Sequence, residues 1–203
     1  MTEILWHGRG GQGAFTAAKL LGASYSLSQR QFALAFPSFG PERRGAPILA
    51  FTKLDSKQIG DRSQIKKADY VIYLDDTLFS PSAFNEIKED GKILINSKRS
   101  REDFLKVVST SSTTAEVRPS VESVETIGRS VDQLITFDAD SIALEILKMP
   151  VTNTVMLALL AKISGVVSES ELTKAVEEYM PSKIAAKNVV LVNEVFKRAG
   201  GEV

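Results

Sequence analysis

The chain has 203 residues, 43% hydrophobic and 25% charged, with 25 Lys and Arg set against 25 Asp and Glu. That length and balance suit one globular domain with a real core and exclude an overall field drawing it to nucleic acid. It contains no cysteine and a single histidine, His7, so this chain can ligate no iron–sulfur cluster, form no redox disulfide and build no multi-imidazole zinc site.

In chain order, EILWH at 3–7 reads as a buried parallel strand. GRGGQG, Gly8 to Gly13, follows as a turn. FTAAKLLGASYSLSQR then places Phe15, Ala18, Leu21 and Tyr25 at helical spacing. QFALAF at 31–36 is expected to close a right-handed βαβ unit. After the proline-rich PSFGPERRGAP come ILAFTKL at 48–54 and a turn, DSKQIG. DYVIYLD at 69–75 is the clearest central strand. SPSAFNEIKEDG at 80–91 reads as a short helix, with Ser80 as cap and Pro81 at its first position, before the strand KILINS at 92–97. DFLKVVST fits either strand or helix, and 109–130 is polar enough to be a loop or insertion.

Regular pattern returns with QLITFDA and three helices, DSIALEILKM, TNTVMLALLAKISG and SESELTKAVEEYM. Gly165 should end the second, and Ser168 with Glu171 should form a capping box on the third. A last helix, KIAAKNVVLVNEVFKRAGG, should end at Gly200. The expected fold is α/β, one domain over 1–203 with a doubly wound, mostly parallel sheet and a helical C-terminal third. Charged Glu3 and Arg9 interrupt the first apolar run, which argues against a signal peptide. The longest run, Val155 to Ala161, is too short to span a bilayer, so a cytoplasmic chain without membrane contact is expected.

Gly8, Gly10 and Gly13 have the spacing of a dinucleotide fingerprint between strand and helix. Its usual roles would be a tight turn at Gly8, phosphate approach at Gly10 and helix–strand contact at Gly13. The acid that such a site needs after its second strand is missing, for that strand ends Phe36-Pro37-Ser38. Two other readings stand beside it: a glycine turn that only packs strand on helix, and helical N–H groups with Arg9 facing an anionic group of a ligand or another chain.

In the second motif, Arg43 and Arg44 lie between Pro41 and Gly45, close to Glu42, Phe36 and Phe39, a mixture of arginine and aromatics suited to an interface. His7 is expected to be packed and hydrogen-bonded. Asp75 and Asp76, at the carboxyl end of the central strand, could cap the next turn or hold a ligand or metal, and Asn153 and Thr154 suit helix capping. Val155, Ala158, Leu159 and Ile163 read as core.

Together, WHGRGGQGAFTAAKLL and AFPSFGPERRGAPILAFTKL resemble the gamma chain of 2-oxoacid:ferredoxin oxidoreductases, closest to the pyruvate type. DYVIYLDDTLFS, KILINS, NTVMLALLAKISGVVS and AAKNVVLVNEVF extend the likeness over most of 1–199, whereas 109–130 does not follow it and Ala185-Ala186 replaces an expected Gly-Glu.

The resemblance implies a subunit of an enzyme that oxidatively decarboxylates a 2-oxoacid to an acyl-coenzyme A, with electrons passing to ferredoxin. It implies thiamine diphosphate, Mg and iron–sulfur clusters on the partner alpha, beta and delta chains, and neither a catalytic residue nor a metal site on this one. By the same resemblance, Arg9, Gly10, Gly11, Gln12, Gly13, Arg43 and Arg44 would line the coenzyme A approach. Phe36, Phe39, Glu42, Arg43 and Arg44 would form an interface, with Arg43 and Arg44 meeting either coenzyme A or a partner chain. The form PSFGPERRGAP favours pyruvate over 2-ketoisovalerate, 2-oxoglutarate or indolepyruvate. A chain with such a contact surface is expected to self-associate when made alone.

Overall fold

The computed structural model describes residues 1–27, 31–38, 44–112 and 132–199. Strands β1 (Thr2–Arg9), β2 (Phe32–Pro37), β3 (Pro47–Asp55), β4 (Ala68–Tyr73), β5 (Ile87–Asn96) and β6 (Leu134–Phe137) form one sheet in the order β2-β3-β1-β4-β5-β6. Pairings β1–β4, β4–β5 and β5–β6 are parallel, while β1–β3 and β2–β3 are antiparallel. Helices α1 (Ala14–Ser26), α2 (Arg101–Ser112), α3 (Ala139–Leu147), α4 (Asn153–Ser164), α5 (Glu169–Tyr179) and α6 (Ser182–Arg198) complete the fold. The expected α/β fold, with a mostly parallel sheet and a helical C-terminal region, is the fold found, and its sheet is mixed because β3 pairs antiparallel with both β1 and β2.

Within that fold the second strand differs from expectation. QFALAF does not return parallel to β1; it turns back on β3 and becomes the sheet's edge, and the parallel neighbour of β1 is β4. Local apolar pattern defines a strand but not its neighbour, which is decided by pairing across the whole chain. Residues 80–91 are a second correction. Pro81 does open a turn, but a 3-10 one that stops at Asn85. Ser80 makes no side-chain cap, its Oγ lying instead 2.7 Å from that of Ser82, and β5 already begins at Ile87. DFLKVVST lies in α2. Of the expected loop, 109–112 belong to that helix, and 113–130 and Gly200 fall outside the described residues.

Period-two alternation along β1 sends Ile4 and Trp6 into a core beneath α1 and α3 to α6, and Leu5 into a second core on the opposite face with Phe51, Val71, Ile93 and Phe104. Trp6 Nε1 donates to Thr52 Oγ1 (3.1 Å) and Thr52 Oγ1 to the Ala18 carbonyl (3.2 Å), so both of these buried polar side chains are partnered. In α4, Asn153 to Ala161 are all buried, which makes it a central helix enclosed by its neighbours rather than one with a single apolar stripe; Ile163 is only partly buried. Gly165 ends α4 in the left-handed conformation at φ 65, and Ser168 and Glu171 form the expected capping box of α5.

Candidate functional site

The parallel strands β1, β4 and β5 end at one edge of the sheet, where open α/β sheets hold ligands. There the glycine loop meets the second motif. Gly10 N–H donates to the Ala46 carbonyl (2.8 Å), Gly45 N–H to the Gly10 carbonyl (3.0 Å) and Arg9 Nη1 to the Gly45 carbonyl (3.2 Å). These bonds extend the β1–β3 ladder past its last pair, Arg9 with Pro47, and place exposed Arg44 beside the glycines. Phe36, on β2, stacks on Phe51 at 5.0 Å. Phe39, Glu42 and Arg43 lie outside the described residues.

The three glycines do not take the expected roles. Gly8 is part of β1, and a Cβ there would come within 3.2 Å of Ala14 Cβ, so Gly8 is the helix–strand contact. Gly10 spends its N–H on Ala46. The turn itself rests on Gly11, at φ 97. Gly13, at φ 81, is the N-cap of α1, and a Cβ on it would meet Asn153 Nδ2 at 2.6 Å. Asn153 thus packs on the glycine loop and donates to the Gly13 carbonyl (3.3 Å), while the N-cap of α4 is Thr152, without a side-chain bond. Neither Asn153 nor Thr154 caps the helix, contrary to expectation. Asn153 Oδ1 is buried without a partner.

Arg9 is drawn inward. Its Nε donates to Asp75 Oδ2 (2.8 Å) and Nη2 to Thr77 Oγ1 (2.8 Å), while Gln12 Nε2 donates to the same Asp75 oxygen (3.2 Å). Gln12 Oε1 in turn accepts from Arg9 N–H at 2.7 Å. Burial pushes the Asp75 carboxyl up, but donation from Thr77, Arg9 and Gln12 outweighs it and holds the group below the usual carboxylate range. Asp75 also accepts from Thr77 N–H (3.0 Å), so it caps the following turn as expected and anchors the glycine loop besides.

Next to this loop lies a cleft of about 550 Å³ lined by Gly11, Gln12, Asp75, Asp76, Asn96 to Arg99, Asp140 and Pro150 to Thr152. Two helices begin at it. Neither α1 nor α4 has a side-chain cap or an acid in its first turn, so both present unsatisfied N–H groups and the positive end of the helix dipole. The carboxylates on its wall are already engaged: Asp76 by Ser97 Oγ (2.6 Å) and Arg99 Nη2 (3.2 Å), Asp140 by Asn96 Nδ2 (3.0 Å). Lys98, only 4.0 Å from Asp138, is largely exposed, and Arg99 lies 4.2 Å over the Phe104 ring.

Asn96, Ser97, Lys98, Arg99 and Thr152 were not among the residues expected from sequence. Asn96 to Arg99 carry one legible signal, their position at the end of the strand KILINS, and Thr152 only its place at the start of TNTVMLALLAKISG, because folding alone brings both to the glycine loop.

His7 is packed, as expected: it stacks on Tyr73 at 4.3 Å and shares Glu86 Oε2 with the Tyr73 hydroxyl, at 2.9 and 3.2 Å. Burial, with Glu86 beside it, pushes the Tyr73 phenol well above its ordinary value. Among the described residues no group of three or more potential metal ligands occurs, and no helix is long and apolar enough to cross a membrane.

Residues 3–198 match the family model described as pyruvate ferredoxin/flavodoxin oxidoreductase. The chain is 36% identical over 199 residues to the pyruvate/ketoisovalerate oxidoreductases common subunit gamma of Pyrococcus abyssi, covering 98% of this chain and 97% of that one. With pyruvate synthase subunit PorC of Methanothermobacter marburgensis the identity is 39% at the same coverage. Among solved structures, the pyruvate oxidoreductase subunit PORC of Thermotoga maritima superposes with TM-score 0.74 at 28% identity, over 97% of this chain and 95% of that one. The 2-oxoglutarate:ferredoxin oxidoreductase of Magnetococcus marinus, solved with coenzyme A and succinyl-CoA, shares the fold at TM-score 0.65 and 14% identity, this chain spanning 30% of that one.

Proposed function

Since the chain belongs to the pyruvate ferredoxin/flavodoxin oxidoreductase family, as a gamma-type subunit of a 2-oxoacid:ferredoxin oxidoreductase complex, we propose that it serves a pyruvate enzyme and holds the phosphate-bearing end of coenzyme A. The observation that carries this reading is the convergence of two uncapped helix N-termini, those of α1 and α4, on one cleft. Backbone N–H groups and a dipole end favour a phosphate at such a place. Lys98 on the cleft wall and Arg44 beside the glycines add cations that can reach it, with Arg43 as the neighbouring donor in the same motif.

In this reading Arg9 keeps its guanidinium on Asp75 and serves by fixing the loop. Gly10 joins the loop to the second motif, Gly11 and Gly13 supply the backbone turn, and Gln12 locks it. Because Asp75, Asp76 and Asp140 are each partnered, the cleft does not present a bare acidic wall to an anion. Thiamine diphosphate with Mg and the iron–sulfur clusters, on alpha, beta and delta chains, supply decarboxylation and electron transfer. This chain's part is to bind and orient.

The relative from Pyrococcus is named as a subunit common to pyruvate and ketoisovalerate oxidoreductases. That supports a gamma chain which leaves the choice of 2-oxoacid to its partners. Pyruvate is the proposed substrate because it appears in the names of these relatives.

The test is a coenzyme A titration of the assembled enzyme, following viologen reduction under a panel of 2-oxoacids. Lys98→Ala and Arg44→Ala should each raise the KM for coenzyme A about 3- to 10-fold, the loss of one solvent-shared ionic hydrogen bond, with kcat and the KM for pyruvate unchanged. An unchanged coenzyme A KM in both variants ends the phosphate-holding role. If another 2-oxoacid outperforms pyruvate, the substrate assignment falls.

A further inference from the structure

Among the described residues, strand β2 is an edge without the usual defences of one. Phe32 to Pro37 carry no charge, and β3 occupies only one side. Natural edges are blunted by lysine, bulges or proline, and here only Pro37, the last residue, fits that description.

The phase of the strand shows which backbone groups face outward. Ser38 N–H donates to the Leu49 carbonyl (2.8 Å), so by alternation Phe36, Leu34 and Phe32 turn their main-chain groups toward β3, and Ala33 and Ala35 turn theirs away from it. Pro37 shares the outward phase, where its missing N–H costs no ladder bond.

The sequence of the edge is a palindrome, Phe32-Ala33-Leu34-Ala35-Phe36, centred on Leu34. An antiparallel copy related by a two-fold axis at Leu34 sets Ala33 opposite Ala35 and Ala35 opposite Ala33. Those are the two residues whose N–H and C=O groups point outward, so the palindrome and the hydrogen-bond phase coincide. On one face Phe32 then lies opposite Phe36, and Leu34 opposite Leu34, covering Phe32, which is 42% exposed. On the other face are paired alanines, and there α1 approaches closely: a Cβ on Gly22 would lie 3.3 Å from Ala33 Cβ and 3.9 Å from Ala35 Cβ.

The geometry points to a second copy of this chain as the occupant of the edge, joined β2 to β2 across a two-fold axis in one continuous sheet. Self-complementarity of both pattern and phase is what an isologous contact requires and what an unrelated strand has no need to meet. The inference is independent of the coenzyme A reading, since no residue of the cleft takes part in it.

The absence of cysteine allows a clean test on the full chain alone. At the axis the two Leu34 Cα atoms form a non-hydrogen-bonded pair about 4.5 Å apart, within disulfide range, whereas the two Phe32 positions lie about 14 Å apart. The wild-type chain should sediment as a dimer. Mild oxidation should convert Leu34→Cys to a covalent dimer while leaving Phe32→Cys, at the more exposed position, as monomer. Leu34→Lys should sediment as a monomer with an unchanged circular dichroism spectrum. A wild-type monomer across the accessible concentrations, or equal cross-linking at the two positions, overturns the proposal. So does a Leu34→Cys chain that cross-links only to another subunit in the assembled enzyme, for the edge then belongs to that subunit.

Discussion

Gly13 carries two constraints at once, a left-handed backbone at φ 81 and the amide of Asn153 where a side chain would begin. The conformation alone costs a non-glycine residue about 1–2 kcal/mol, and the contact adds to it. Gly13→Ala should therefore lower stability by about 2–4 kcal/mol, read by urea unfolding, whereas a replacement at a glycine with ordinary φ and open space, Gly60→Ala, should change it by less than about 0.5 kcal/mol. Asp75 makes a different kind of prediction. Its carboxyl is depressed in the folded chain, so it stabilises the fold above its unfolded value of about 3.9, and that contribution is lost as pH falls through the lower folded value. Asp75→Asn should be less stable than wild type near neutrality, and the gap should narrow on titration below about pH 4. A gap constant with pH would mean that the charge of Asp75 does not hold the loop.

Among the elements, β3 carries a fully buried lysine. Lys53 Nζ lies 2.6 Å from Asp61 Oδ2 and 3.9 Å from Glu3 Oε1, while Glu3 is also engaged by Lys88 at 3.1 Å. Asp61, itself exposed, is held well below the usual carboxylate range by Lys53 first and then by Ser63. The pair ties the 56–67 connection across the sheet face. Burying a charge is costly, and replacing it by an apolar side chain of similar length removes that cost, whereas removing its partner strands it. Lys53→Met should thus be near neutral or stabilising in thermal unfolding, and Asp61→Ala clearly destabilising. The reverse order would show that the ion pair holds the connection by more than compensating its own burial.

For the whole molecule, legibility followed the range of the forces involved. Gly165, Ser168 and Glu171 marked helix ends by chemistry with near neighbours, and so were readable. The partner of QFALAF was not, because the choice between β1 and β3 is made by long-range pairing that leaves no trace within six residues. The candidate site divides in the same way. Its glycine loop and the Arg44 turn announced themselves by composition, but the wall from Asn96 to Arg99 and the Pro150 to Thr152 approach to α4 are distant in sequence and meet the loop only in the fold. The acid of a dinucleotide pattern belongs after the strand parallel to β1, which here is β4 and not QFALAF. The strand that flanks β1 in parallel runs on into Asp75, which Arg9 and Gln12 engage.

The main-chain bonds between Gly10 and the Gly45–Ala46 pair hold the two motifs in one register. Side-chain contacts tolerate exchange of one partner, but a ladder counts residues, and a single insertion on either strand shifts everything beyond it. The two N-terminal motifs are therefore one heritable unit. A chimera that borrows either segment from a related subunit must borrow the other with it, or the glycine loop and the arginine turn will arrive out of step.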